Sequence, residues 1–241
     1  MTGFTGIGKQ PFVNHRILII LTLVCIGLPS LHAAEYLSSK ELNSQQREML
    51  KTGKPLLVEE ESPGNPWPIF TIYQMVKASP EAVAAVFWDC EQDPKYIPNC
   101  LSARIISHPK KRVVEAEYTL KMPFFLPDEV YVSRNELMIP DHDIFEISWE
   151  VMKARYIKAG LGSIRITPMG EDSMIRYNNF VMPGSKIARI MKAHASSQVA
   201  ESVNALVQKV LDEQSHDAPL LESQLSTLRK ALNPEEEPKS E

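Results

Sequence analysis

Cys90 and Cys100 bracket the nine residues EQDPKYIPN. An even pair at this spacing fits a disulfide in an oxidising compartment or two buried thiols in any compartment. A disulfide closing so short a loop would stabilise the fold by about 2–3 kcal/mol in the chain-entropy model. The spacing is too long for a CxxC pair, so dithiol redox chemistry is not expected. Asp141-His142-Asp143 has the residue types of a metal site, but neighbours on an extended chain point apart. The triplet follows Pro140 between two strand-like segments and reads as a solvated turn. Ser107-His108-Pro109-Lys110 matches a serine–lysine pair in spelling only, because it ends a strand instead of starting a helix. Glu115 and Glu117, two apart on a strand, share a face and could do acid–base work. The other face of that strand is the apolar one, so both are expected in solvent. GFTGIGKQ at Gly3 to Gln10 approaches a phosphate-binding loop, yet Gln10 replaces the metal-binding hydroxyl and no apolar strand precedes it. No nucleophile–base pair and no metal set emerges, so no catalytic residue, metal or cofactor is assigned.

The chain that carries these residues has 241 of them, 44% apolar and 23% charged, with net charge −4. That is globular composition for one or two domains. Removing residues 1–33 takes away Lys9 and Arg16 and leaves −6. An acidic body lacks the basic excess of a sequence-independent nucleic-acid binder, so nucleic acid is excluded as a partner.

Residues 1–33 read as a secretory signal. Lys9, His15 and Arg16 precede the apolar run Ile17 to Leu28, then Pro29-Ser30 and the small residues of Leu31-His32-Ala33-Ala34. The run is too short for a hydrocarbon core that needs about 20 residues. Cleavage after Ala33 is expected, and with it a periplasmic or secreted location. Val24 before Cys25 argues against a lipoprotein acceptor.

Residues 34–66 read as a helix and a linker. SSKELNSQQREMLKTG, ending at Gly53, carries helix start and stop signals, and Glu59 to Pro68 is an acidic, proline-bearing connector. Ile69 to Lys77 is β-branched and aromatic, hence a strand. Ser79-Pro80-Glu81 then starts a short helix, since Ser caps an orphan N–H and Pro costs no bond at the first position. Six more strand-like segments follow with little helix signal between them: 101–107, 112–122, 129–139, 144–152, 163–167 and 174–181. Gly160 with Gly162 is one of the turn signals between them, and Gly160-Leu161-Gly162 is a candidate mobile rim.

Alternation puts Val114, Ala116, Tyr118 and Leu120 on one face, and Phe145, Ile147, Trp149 and Val151 likewise. These one-sided strands form an antiparallel sheet that needs a cover. The longest amphipathic segment is Ser185 to about Glu213, a rod of roughly 42 Å at the α-helical rise. Residues 214–241 read as a tail with a weaker, leucine-bearing helix.

Two segments, MVKASPEAVAAVFWDCEQDPKYIPNC and RYNNFVMPGSKIARIMKAHASSQVAESVNALVQKV, resemble the START-like (SRPBCC) superfamily of lipid-transfer and polyketide-cyclase relatives. The SPEAV start, Asp89, Pro98, and Tyr177 leading to Pro183-Gly184 carry the likeness, over about residues 67–213. Met182 stands where lipid-transfer relatives often have an acidic residue. The resemblance implies an α+β helix-grip fold, a curved antiparallel sheet wrapped around a long carboxy-terminal helix with an apolar cavity between. Tyr118, Leu120, Trp149, Tyr177, Met191 and Ala195 are the lining candidates, against the alternative of a filled core. Arg134 and Arg176 lie in strands and could face either way; Arg134 is the candidate head-group anchor. The expectation is a monomeric exported binder of a lipid, sterol-like or isoprenoid molecule, in transient contact with membranes. A cyclase or hydrolase using the same cavity and an envelope module that docks a partner protein are the alternatives.

Overall fold

The computed structural model describes residues 42–122, 125–184 and 192–233. Expectations that fall on other residues, including the export signal, Cys25 and Met191, lie outside the described residues. Among the described residues no helix is long and apolar enough to cross a membrane.

Eight strands form one antiparallel sheet. They are β1 (Leu56–Glu60), β2 (Ile69–Val76), β3 (Cys100–Lys110), β4 (Val113–Leu120), β5 (Glu129–Asp141), β6 (Ile144–Ala154), β7 (Ile157–Met169) and β8 (Asp172–Pro183). Their order is β1-β2-β8-β7-β6-β5-β4-β3. The last strand therefore pairs with β2, and the chain must cross from the β2 side of the sheet to its β3 edge. Helix α2 (Pro80–Trp88) and a 3₁₀ turn (Cys90–Lys95) make that crossing. Ser79 caps α2 by accepting from the Ala82 N–H, with Pro80 at the first position. Register shifts interrupt the ladders at Ser102, Ser107, Ser133 and Ala159. Such bulges bend strands and sharpen their twist, which suits a curved sheet.

The sheet is gripped on its concave side by more than the terminal helix. Helix α3 (Lys192–His216) crosses it, as the apolar stripe predicts. Val83, Ala84, Ala85 and Val86 of α2 are all at most 1% exposed, so that helix is apolar all round because it is enclosed. On its far side lies α4 (Ala218–Leu232), whose Leu221, Leu225 and Leu228 share one core with α2, with Ile147, Ile164, Ile166 and Ile175 of the sheet, and with Leu206 and Val210 of α3. The expected boundary after residue 213 thus falls inside α3, and α4 is part of the domain instead of a tail. Polar contacts fasten it. Arg229 pairs with Glu81 through two bonds of 2.8 and 2.7 Å, and buried Gln224 donates to Asp89 (3.2 Å) and Glu213 (3.4 Å). Leu221, Leu225 and Leu228 of α4 are committed to the core.

The first two elements also depart from expectation. Helix α1 spans only Ser44–Lys51, capped reciprocally by Asn43 and Gln46. The connector contains a strand, β1, where Leu56 packs with Leu50 of α1 and Tyr73 of β2. Leu57 and Glu59 face outward, and three apolar residues followed by two acids carry no alternation that reads as a strand. Gly160 and Gly162 lie in the middle of β7, not in a rim loop. A methyl group on Gly162 would overlap the Trp149 indole and sit 2.7 Å from the Asn178 carbonyl oxygen, so the strand uses glycine as space for tryptophan.

Leu228→Ala is expected to cost about 2–5 kcal/mol in denaturant unfolding, as for any enclosed leucine. A change within experimental error would show that α4 is a dispensable tail.

Candidate functional site

Alternation along each strand fixes which side chains look into the grip. On β4 these are Val114, Tyr118 and Leu120; on β5 Tyr131, Ser133 and Asn135; on β6 Ile147, Trp149 and Val151; on β8 Tyr177, Asn179 and Val181. The helices meet this surface over only part of its length. Helix α2 fills one half of the grip, and the other half stays hollow beside Ala195, Val199, Val203 and Leu206 of α3. The cavity measures about 410 Å³. It takes up all three tryptophans of the chain and five of its seven tyrosines: Tyr96, Tyr118, Tyr131, Tyr156 and Tyr177. Tyr118 and Tyr131 stack with ring centres 5.0 Å apart, and Trp149 lies 5.1 Å from Tyr177 and 6.0 Å from Phe87. Rings that brace one another in this way hold a wall without filling the space in front of it.

The structure brings together Tyr118, Leu120, Trp149, Tyr177 and Ala195 on this wall. Arg134 is a correction. Tyr131, Ser133 and Asn135 face inward, so period two turns Arg134 outward, opposite Glu115 and Glu150 in the ladders. It cannot anchor a head group inside. Arg176 is outward for the same reason, between Tyr73 and Arg165 in register. Glu115 and Glu117 also face out, bound to Ser107 and Arg104.

The disulfide expectation is a second correction: Cys90 and Cys100 are separate, buried thiols. The loop between them is wound into the 3₁₀ turn, and each sulfur has its own partner. Cys100 donates to the Ser102 carbonyl at 3.7 Å, while Cys90 bonds the Tyr118 side chain. Burial, with the Asp93 charge nearby, pushes Cys90 up to about 12 and Cys100 to about 11. Both stay protonated at neutral pH and are poor nucleophiles.

The polar group that sequence reading passed over is Asp93. A 3₁₀ turn eclipses residues three apart, so Pro94 and the turn set Tyr96 directly over Asp93. The Tyr96 hydroxyl donates to Asp93 Oδ1 at 2.8 Å. The carboxyl is half-buried and borders the cavity. Burial pushes it from 3.8 up to about 7, Asp89 adds to the rise, and the Tyr96 bond opposes it. Burial likewise raises Tyr118, Tyr131 and Tyr177, helped by the Asp93 charge. The signal was available in Asp93-Pro94-Lys95-Tyr96, a spacing of three across a proline.

At the mouth, Glu129 of β5 is 3% exposed yet fully engaged. Its two oxygens accept from the Arg155 and Tyr156 N–H groups at 2.7 and 2.8 Å, which pins the β6–β7 turn. The Tyr156 carbonyl in turn accepts from Gly184 N at 2.6 Å, past the end of β8. Among the described residues no cluster of His, Cys, Asp and Glu could hold a metal ion. Lys121, at the exposed rim, is the cavity's single cation among them.

Residues 76–206 match the family model for polyketide cyclase/dehydrase and lipid transport. The fold matches a STAR-related lipid transfer protein fragment from Xanthomonas axonopodis, with TM-score 0.60 and 12% identity over 72% of this chain and 98% of that one. It matches human STARD10 with TM-score 0.60 and 11% identity, over 81% and 90% of the two chains. It also matches the Zhui aromatase/cyclase of Streptomyces sp. R1128, with TM-score 0.53 and 14% identity over 60% and 94%. At these identities the likeness speaks for the fold alone. No curated protein is significantly similar in sequence.

Two outcomes are expected. A raised folded-state carboxyl contributes stability that is full below its ordinary 3.8 and lost as pH rises through about 7. Wild type should therefore lose up to roughly 4 kcal/mol relative to Asp93→Asn over that interval, seen in parallel urea titrations. Equal pH profiles would contradict it. Gly162→Ala should destabilise by about 1–3 kcal/mol through overpacking and shift the tryptophan fluorescence as Trp149 is displaced.

Proposed function

The chain belongs to the polyketide cyclase/dehydrase and lipid transport family, and on that basis we propose that it is an exported carrier of an apolar small molecule held between the sheet and α3. The observation that carries this reading is the hollow of about 410 Å³ into which the chain gathers its tryptophans and most of its tyrosines. A filled core would have closed that space, because side chains otherwise pack to crystal-like density. A ligand burying about 300 Å² of apolar surface there would gain about 7 kcal/mol before ordering costs. The mechanism is sequestration: the inner walls exclude water and the outer ladders keep the sheet soluble.

Export rests on the charged, apolar, small-residue order of residues 1–33. Loading at a lipid surface is supported by exposed Phe125 and Met152, which lie close in the chain to Lys121 and to Lys153, Arg155 and Lys158. A second reading, proton transfer of the cyclase or dehydrase kind, is favoured by Asp93, a cavity acid brought close to neutral pH. Exchange of α-protons from a bound methyl ketone in D₂O, abolished by Asp93→Asn, would support that reading over simple carriage.

Native mass spectrometry of protein taken from its own compartment is expected to show a chain starting at Ala34 with a small hydrophobic molecule attached. Ala195→Trp, which fills the hollow from α3, should keep the circular dichroism of wild type and weaken pyrene binding at least tenfold. Unchanged pyrene affinity in that variant would count against the cavity as the site.

A further inference from the structure

We propose that Asp93 and Tyr96 form the polar subsite of the cavity and receive the carbonyl oxygen of an uncharged, flat, ring-bearing ligand. The inference rests on the carrier reading and adds the ligand's chemical class. Three observations lead to it. Two ring pairs, Tyr118 with Tyr131 and Trp149 with Tyr177, stand among the aliphatic side chains of the wall and offer faces on which a flat polarisable body can stack. Among the described residues the cation at the cavity is Lys121 on the rim, so among them an anionic group finds a partner at the rim and none beside Asp93. The Asp93 carboxyl has one hydrogen-bond partner, Tyr96, among the described residues, and faces the hollow with bonding capacity left over. A protonated carboxyl can donate its O–H to a carbonyl while still accepting from Tyr96.

The groups around Asp93 agree with a site that keeps its proton. On its own turn lie Cys90, Glu91, Lys95 and Tyr96, with Asp89 just before them. From β3 and β4 come Cys100 and Tyr118, and from β5 and β8 Tyr131 and Tyr177. From α3, Glu213 acts on Tyr96, and its own partners are Lys209 on the same helix and Gln224 of α4. Nearby full charges are thus mostly acidic, and the neutral groups cannot compensate a carboxylate. A ligand that displaces cavity water removes the remaining solvation of the ionised form. Binding must then favour the protonated acid, and by linkage a rise in pH must weaken binding.

The test compares three pyrene probes by quenching of tryptophan fluorescence: 1-acetylpyrene, 1-ethylpyrene and 1-pyrenecarboxylate. At pH 6 the ketone is expected to bind at least tenfold tighter than the near-isosteric hydrocarbon, and the carboxylate weakest. The ketone preference should vanish in wild type by pH 8.5. It should be absent at every pH in Asp93→Leu and independent of pH in Asp93→Asn, whose amide donates without titrating. Equal binding of ketone and hydrocarbon by wild type overturns the subsite and leaves the carrier reading standing. So does a pH-dependent preference that persists in Asp93→Asn. A carboxylate that binds as tightly as the ketone overturns the uncharged class. Failure of all three probes overturns the cavity as a ligand site, and the subsite with it.

Discussion

A sheet whose inner face is built from rings and branched side chains must be covered, and the covering helices decide how much space remains. Strands β4 and β6 alternate between a dry and a wetter side, while β7 and β8 also bury Ser163, Asn178 and Phe180 on the outer face; the inner sides of all five line one surface. Helix α2 is small-residue-rich and lies deep, where it packs tightly on β6, β7 and β8. Helix α3 crosses above it, supported from outside by α4. Where α2 ends at Trp88, the filler ends and the hollow begins. The cavity is therefore a consequence of helix length: a nine-residue helix cannot fill a grip that runs the length of eleven- to thirteen-residue strands.

The chain continues past α2 as a 3₁₀ turn, and this is what brings a carboxyl into an apolar place. Asp89 ends the helix, and Asp93 follows one turn later on the cavity side. Burial of an acid without a cation is costly, and here a tyrosine hydroxyl binds the carboxyl while burial pushes its pKa up to about 7. Glu129 illustrates the other solution. It is more deeply buried by exposure, but two backbone N–H groups bind its oxygens, and its work is to hold a turn at the mouth. Two acids in one cavity thus differ in role because their partners differ.

Much of this architecture was legible in the chain. The capped start at Ser79-Pro80, the alternation in β4 and β6, and the stripe of α3 each follow from local rules of capping and period. They made Tyr118, Leu120, Trp149 and Ala195 candidates for one inner surface, and the structure sets these residues and Tyr177 around the cavity. Arg134 was ambiguous because the strand around it, EVYVSRNEL, has no consistent apolar face. Only the register with β4 and β6 settles it. Gly160 and Gly162 read as a turn because glycine breaks strands locally, whereas here each leaves room for a bulky neighbour on β6. Cys90 and Cys100 are near in sequence, but the winding of the turn between them gives each sulfur a separate partner.

The sequence by itself determined most of the elements, the dry side of β4 and β6, and the need for a helical cover, because those depend on neighbours within a few residues. Tertiary structure alone decided that α4 belongs to the core, that the space beyond Trp88 stays open, and that Asp93 sits inside it. These depend on distances between elements far apart in the chain, and on how much volume their side chains leave over, which no local pattern encodes.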